Sequence, residues 1–171
     1  MKQKIQSLMA WARQHLILFG AAKFIAGLIV GFGLGVYFLP ILTAEKGLDD
    51  AALASLSSSI ERQGEFVRDL ADSDAFHWGE GQINVSADRI WLDGKIAPGP
   101  DYRLYMTPKF VETEADFLAI KDSSVEVAPI KAFENFSVDV PMQVDVSRFP
   151  ALIIWCEAFG QFITAAELKA S

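Results

Sequence analysis

Between Phe24 and Leu42 the chain reads FIAGLIVGFGLGVYFLPIL, 19 residues without one charged side chain. As a helix that stretch spans about 28 Å, close to the roughly 30 Å hydrocarbon core of a bilayer. The spacing predicts a transmembrane helix over residues 22–42, with the lipid bilayer as its partner. Lys23 stands at its start, where a long cationic side chain reaches the head groups. Tyr37 stands near the other end, where an aromatic ring suits the interface. Pro40 lies so close to the end that a lost hydrogen bond matters little there. A cleaved signal peptide is the competing reading. Its apolar core is normally about 7–15 residues long and closes on a small-residue cleavage site. The run here is longer and PILTAEKG offers no such site, so an uncleaved anchor is preferred.

Charge divides the chain at the same place. Lys2, Lys4, Arg13 and Lys23 are the only charged side chains before Glu45. All 22 acidic side chains and the other 11 of the 15 basic ones follow, a net charge of −11 beyond the apolar run. Basic residues flank the cytoplasmic side of membrane helices, which predicts a cytoplasmic N-terminus and a C-terminal region outside the cytoplasm. So acidic a region has no electrostatic footprint for nucleic acid. Residues 1–21 read as a basic cytoplasmic leader. Ile5, Leu8, Met9, Ala12 and Leu16 recur at helical spacing, as in a helix on the inner membrane surface or a plain extension of the same helix. Gly27, Gly31 and Gly35, every fourth residue, mark one helix face that permits close self-association.

Residues 43–64 are expected to form a stalk. Leu48, Ala52, Leu56 and Ile60 predict a short helix over 48–62, with Asp49 and Asp50 at its positive end and Gly64 as its stop. Beyond it the period changes to two. In RIWLDGKI, Ile90, Leu92 and Ile96 share one face; in DYRLYM, Tyr102, Leu104 and Met106; in NFSVDVP, Phe136, Val138 and Val140. These are half-buried strands. HWGEGQ, SADR, APGPD and SRFP read as the turns between them. VETEADFLAIKD is the one expected helical turn. Short strands at this spacing predict an all-β domain, a sandwich or barrel, over residues 65–169. Residues 151–159 are apolar on both faces, with Leu152, Ile154, Cys156 and Ala158 opposite Ile153, Trp155, Glu157 and Phe159. Such a strand is central and covered on both sides, or its Trp155/Phe159 face meets a ligand or partner.

The single cysteine, Cys156, excludes an intramolecular disulfide and zinc-type spacing. Two readings stand: a buried core thiol, favoured by Leu152 and Ile154 on its face, or a functional sulfur. His77, the only histidine beyond the membrane run, is either a hydrogen-bonded structural group or a metal or haem ligand. Paired with Cys156 it suits axial haem ligation or part of a copper site. No CxxCH occurs, so covalent c-type haem is excluded. Asp101, after Gly99 and Pro100, reads as a turn residue whose side chain accepts backbone N–H bonds; metal binding is the lesser alternative. The N-x-S sequences at Asn84 and Asn135 lie in expected strands. No nucleophile elbow, P-loop, HExxH or dinucleotide fingerprint is present, which argues against a conventional hydrolase or kinase.

GEFVRD, HWGEGQINV, GPDYRLYM, VAPIKAFENFSVDVP and LIIWCEAFGQFITAAEL occur in an order that resembles the DM-thirteen domain family over nearly all of residues 64–168. Its bacterial, membrane-anchored members are the most similar. The most specific parts are Gly99, Pro100 and Asp101 with the Tyr102, Leu104 and Tyr105 that follow, and the Trp155–Cys156 pair. The resemblance implies a β-rich extracytoplasmic module taking part in electron transfer with a redox protein partner, and places Cys156 as the redox or cofactor-ligating group. It also implies a bacterial inner-membrane location with the domain in the periplasm. The alternative is a non-catalytic sandwich that binds a surface partner or ligand, with Cys156 as packing.

Overall fold

The computed structural model describes Trp11 and residues 14–171. Helix α1 runs from Leu16 to Thr43, 28 residues with none buried, and an 18-residue stretch within it has a mean hydropathy of 2.2. It is long and apolar enough to cross a membrane. It takes in residues 16–21 of the expected leader, the plain extension of the same helix that the sequence allows. Lys23 therefore lies inside α1, its ammonium 4.8 Å from the centre of the Phe19 ring. Gly27, Gly31 and Gly35 meet no neighbouring atom within 4 Å of where a Cβ would stand, so that face is open. Of the expected leader helix, Ile5, Leu8, Met9 and Ala12 lie outside the described residues.

The expected stalk is part of the domain. Helix α2 is short, Asp50–Leu56, capped by Asp49, whose carboxylate accepts the Ala52 N–H at 2.9 Å. Ser57–Ser59 form a 3-10 turn in place of further α-helix, and Ser57 and Ser59 donate back to carbonyls three residues earlier. Such local bonds compete with helix propagation. Gly64 stops nothing; it lies inside strand β1, Arg62–Phe66. Ahead of α2, Glu45 N–H donates to the Lys131 carbonyl (2.9 Å) and Leu48 N–H to that of Asn135 (2.8 Å). Gly47 is required in that pairing, since a Cβ there would lie 1.8 Å from the Glu134 carbonyl oxygen. The ordered domain thus begins well before residue 65. Arg62 ties it further: its guanidinium donates to the carbonyls of Val146 (3.1 Å), Phe149 (2.6 Å) and Leu168 (3.0 Å).

Two antiparallel sheets form a sandwich. After β1 come β2 (Gly79–Val85), β3 (Arg89–Ile96), β4 (Tyr102–Thr107), helix α3 (Glu114–Leu118), β5 (Val125–Ile130), β6 (Ser137–Asp139), β7 (Ala151–Cys156), β8 (Gln161–Glu167) and β9 (Lys169–Ala170). The first sheet takes the order β6-β3-β2-β1-β9, the second β5-β4-β7-β8. The alternating residues face inward as their spacing requires: Ile90, Leu92, Ile96, Tyr102, Leu104 and Met106 all lie in the core between the sheets. HWGEGQ is not a turn, because Gly79 opens β2 and Gly81 lies opposite Gly94 of β3. Asn84 is in β2 and buried; Asn135 is not in a strand but adopts a positive φ of 48° just before β6.

Strand β7 is central, between β4 and β8, and buried on both faces. Leu152, Ile154 and Cys156 enter the core between the sheets; Ile153 and Trp155 enter a second cluster on the outer face of the second sheet. That outer face is covered by α3, which the sequence marks as the helical turn. Thr113 caps it, accepting the Asp116 N–H, and Phe117 inserts into the cluster with no exposed surface. The strand ends at Cys156 rather than at 159. Residues 157–160 turn, with Gly160 N–H donating to the Cys156 carbonyl (2.9 Å), and Phe159 projects from the turn 52% exposed.

Candidate functional site

Cys156 stands at the last position of β7, opposite Tyr102 at the first position of β4. Two connections close over it. The β3–β4 connection carries Gly99, Pro100 and Asp101; the thiol donates to the Pro100 carbonyl, with Sγ 3.1 Å from the oxygen. The β7–β8 turn starts with Glu157, whose N–H donates to the Asp101 carbonyl at 3.1 Å. The thiol is consequently 3% exposed but sits at the rim of the sandwich, beneath two loops rather than in mid-core. The GPD–Tyr stretch has a packing explanation. A Cβ on Gly99 would lie 2.3 Å from the Tyr102 hydroxyl, so only glycine lets that ring fold back over the connection. Asp101 adopts a positive φ of 50°, a conformation open to Asp at modest cost. Its side chain does not cap backbone N–H groups as expected. Oδ1 accepts from Arg103 Nε (3.0 Å) and Nη2 (2.8 Å), because the left-handed backbone turns the carboxylate toward β4.

Burial pushes the Cys156 thiol above its ordinary pKa, and the carboxylates of Asp101 and Glu157 add to this; the N–H groups of Phe159 and Ala158 offset part of it. The sulfur is therefore a neutral thiol at physiological pH, in keeping with its donation to a carbonyl oxygen. A neutral buried thiol is a poor nucleophile toward solvent. Burial likewise raises the Tyr102 phenol.

His77 belongs to a different hydrogen-bonded group. Its Nδ1 lies 3.0 Å from Asp74 Oδ2, in a loop where Asp74 Oδ1 also accepts the N–H groups of Phe76 and His77. No hydrogen bond joins His77 to Cys156. Among the described residues, no three His, Cys, Asp or Glu side chains converge as metal ligands. Among the described residues, Cys156 and His77 belong to separate hydrogen-bonded groups, the thiol on the Pro100 carbonyl and the imidazole on Asp74.

The other face of the β7 terminus carries what sequence reading misses. Tyr105 of β4, 6% exposed, donates its hydroxyl to Glu157 Oε1 and lies 3.3 Å from Glu126 Oε2 of β5. Lys121, from a 3-10 turn after α3, places its ammonium 2.7 Å from the Glu157 carboxylate. Arg103 joins Glu126 (3.1 Å) to Asp101. Glu157 feels an upward push from burial, but the bonds from Lys121 and Tyr105 outweigh it and hold its pKa below the usual range. Burial, Glu157 and Glu126 all push the Tyr105 phenol up. The available signal is the alternation itself, which places Glu157 on the face of Ile153 and Trp155, and Tyr105 opposite in phase to Leu104. It gives no pointer to Lys121 or Glu126.

Comparison with known families finds a match over the sandwich. Residues 66–168, more than half of the chain, match the family described as Electron transfer DM13. No curated protein and no solved structure matches the chain.

Proposed function

This chain belongs to the electron transfer DM13 family, and from that membership we propose a membrane-anchored, extracytoplasmic electron-transfer module whose working group is the Cys156 sulfur. The placement is an N-terminus in the cytoplasm, α1 across a bacterial inner membrane and the sandwich in the periplasm. It is supported by the charge asymmetry about α1 and the length of that helix. One observation carries the role of Cys156: the only thiol lies at the sandwich rim, held by the Pro100 carbonyl beneath the Gly99–Pro100–Asp101 connection. A thiol kept neutral in this way does not attack in solvent. It acts on a redox group or disulfide that a partner brings to the rim, once the two connections part. Replacing Cys156 with Ala in the full-length protein tests the reading. Redox activity in membranes, and any visible absorption of the purified protein, should be lost while the circular dichroism is kept. Full activity in that variant makes the thiol packing.

A second reading has its own observation. A cavity of about 360 Å3 lies between α2 and the outer face of the first sheet, lined by Gln63, Gln82, Asn84, Trp91 and Asp93 among others. That volume and lining suit a small polar ligand, and favour a non-catalytic binding sandwich in which Cys156 only fills the core with Leu152 and Ile154.

A further inference from the structure

The geometry points to Tyr105 as a second redox site, a phenol that gives up one electron to an external one-electron oxidant while its proton passes to Glu157. The inference rests on the electron-transfer reading but not on Cys156. A core tyrosine hydroxyl is satisfied by one hydrogen-bond partner, commonly a carbonyl or water. Tyr105 instead meets two carboxylates, Glu157 and Glu126, inside a cluster otherwise built of Phe117, Trp155, Phe162 and aliphatic side chains. The phenol has one proton to donate and Glu157 receives it. Glu126 is held by Arg103 and Glu157 by Lys121, so the acceptor is kept as a carboxylate.

Removing an electron from a phenol makes its proton strongly acidic, and oxidation is easy only where a base is already in place to take it. The step balances as Tyr105–OH plus Glu157–COO⁻ giving Tyr105–O• plus Glu157–COOH and one electron. The electron goes to a high-potential oxidant, a metal complex outside the chain. Lys121 makes the proton transfer obligatory. Its ammonium stands 5.6 Å from the ring centres of both Tyr105 and Trp155, so a cation left on either ring is repelled. A neutral phenoxyl radical escapes that penalty. The Tyr105 ring packs on Phe117 (5.4 Å between centres) and Phe117 on Trp155 (4.9 Å), the residue before Cys156. Tyr102 serves as an internal control: it too is buried, yet among the described residues no carboxylate hydrogen-bonds its hydroxyl.

The test uses the full-length protein in detergent and tris(bipyridine)ruthenium(III) generated by a light flash. A tyrosyl radical, read by electron paramagnetic resonance and its visible absorption, should appear in the wild type and vanish in Tyr105→Phe. Glu157→Gln should slow its formation about a hundredfold, the lower end of what a positioned base contributes. Glu157→Asp, which returns a carboxylate, should recover part of the rate. That pair decides the matter if Tyr105→Phe does not fold. No tyrosyl radical in the wild type, a radical that survives Tyr105→Phe, or Glu157→Gln oxidised at the wild-type rate overturns the inference. Cys156→Ala should leave the flash-induced radical in place, so failure here and failure of the thiol reading are told apart.

Discussion

Cys156 and Glu157 are neighbours in sequence and face opposite environments. The sulfur enters the core between the sheets, where it donates to a backbone carbonyl. The carboxylate turns outward into a network of Tyr105, Lys121, Glu126, Arg103 and Asp101. Burial raises the thiol pKa, while two bonds on the other face overcome burial and lower that of the carboxylate. A residue's chemistry here is set by the face it occupies and by what the opposing element brings, not by its chain neighbours.

Both faces depend on one frame, and breaking it has the largest effect. A fragment of residues 65–169 loses Arg62, its bonds to three carbonyls and the start of β1. It should fail to unfold cooperatively in a thermal melt, whereas residues 44–171 should give a β-type circular dichroism spectrum and a sharp transition. Equal melting behaviour of the two fragments refutes the earlier boundary.

Removing the cover of the outer face comes next. Phe117→Ala should cost about 3–5 kcal/mol, as for other fully buried aromatics, and should loosen Tyr105 and Glu157 while leaving the Cys156 thiol protected from labelling reagents. Thiol labelling that rises along with the loss of stability shows that the two faces are one unit.

The pH dependence separates them more finely. The folded pKa of Glu157 is depressed, so its contribution is present above the ordinary glutamate value, about 4.3, and is lost as pH falls through the folded value below it. The folded pKa values of Cys156 and Tyr105 are raised, so their contributions are complete below the ordinary values, about 8.5 and 10, and fall away as pH climbs past them. Denaturant titrations across pH should show Glu157→Gln flattening the acid limb most and the alkaline limb less, since its charge helps raise Tyr105 and Cys156, and Cys156→Ala flattening only the first part of the alkaline limb. Identical profiles for both variants contradict the separation.

Cys156→Ala should itself cost only about 1 kcal/mol, the range of a small core truncation, as read from the urea midpoint. Smallest for the domain is Gly31→Ile in α1. We propose that it weakens self-association through Gly27, Gly31 and Gly35 in detergent cross-linking and leaves the domain's melting unchanged; undiminished cross-linking removes the glycine face from consideration.

The apolar run, the two-residue alternation of β3, β4 and β6, the double-faced β7 and the helical turn at α3 were legible because each is a local pattern. A periodicity states which side of an element must leave water, whatever covers it. The boundaries at residues 64 and 159 were less legible, since they depend on what a segment meets: Gly47 against Glu134, Arg62 against three distant carbonyls, the β7–β8 turn against Asp101. The site was the least legible. Cys156 stood out as the sole thiol, but the Pro100 carbonyl that holds it is 56 residues away, and Glu157 meets Tyr105 and Lys121 at separations of 52 and 36. Sequence alone determined that this chain carries a membrane-length helix and an alternating β domain, because hydrophobic burial is written into residue spacing. Only the tertiary structure decided that one end of β7 holds a neutral thiol on one side and a proton-accepting carboxylate on the other. Those properties arise where loops of distant strands close over the same rim, and no local spacing encodes that meeting.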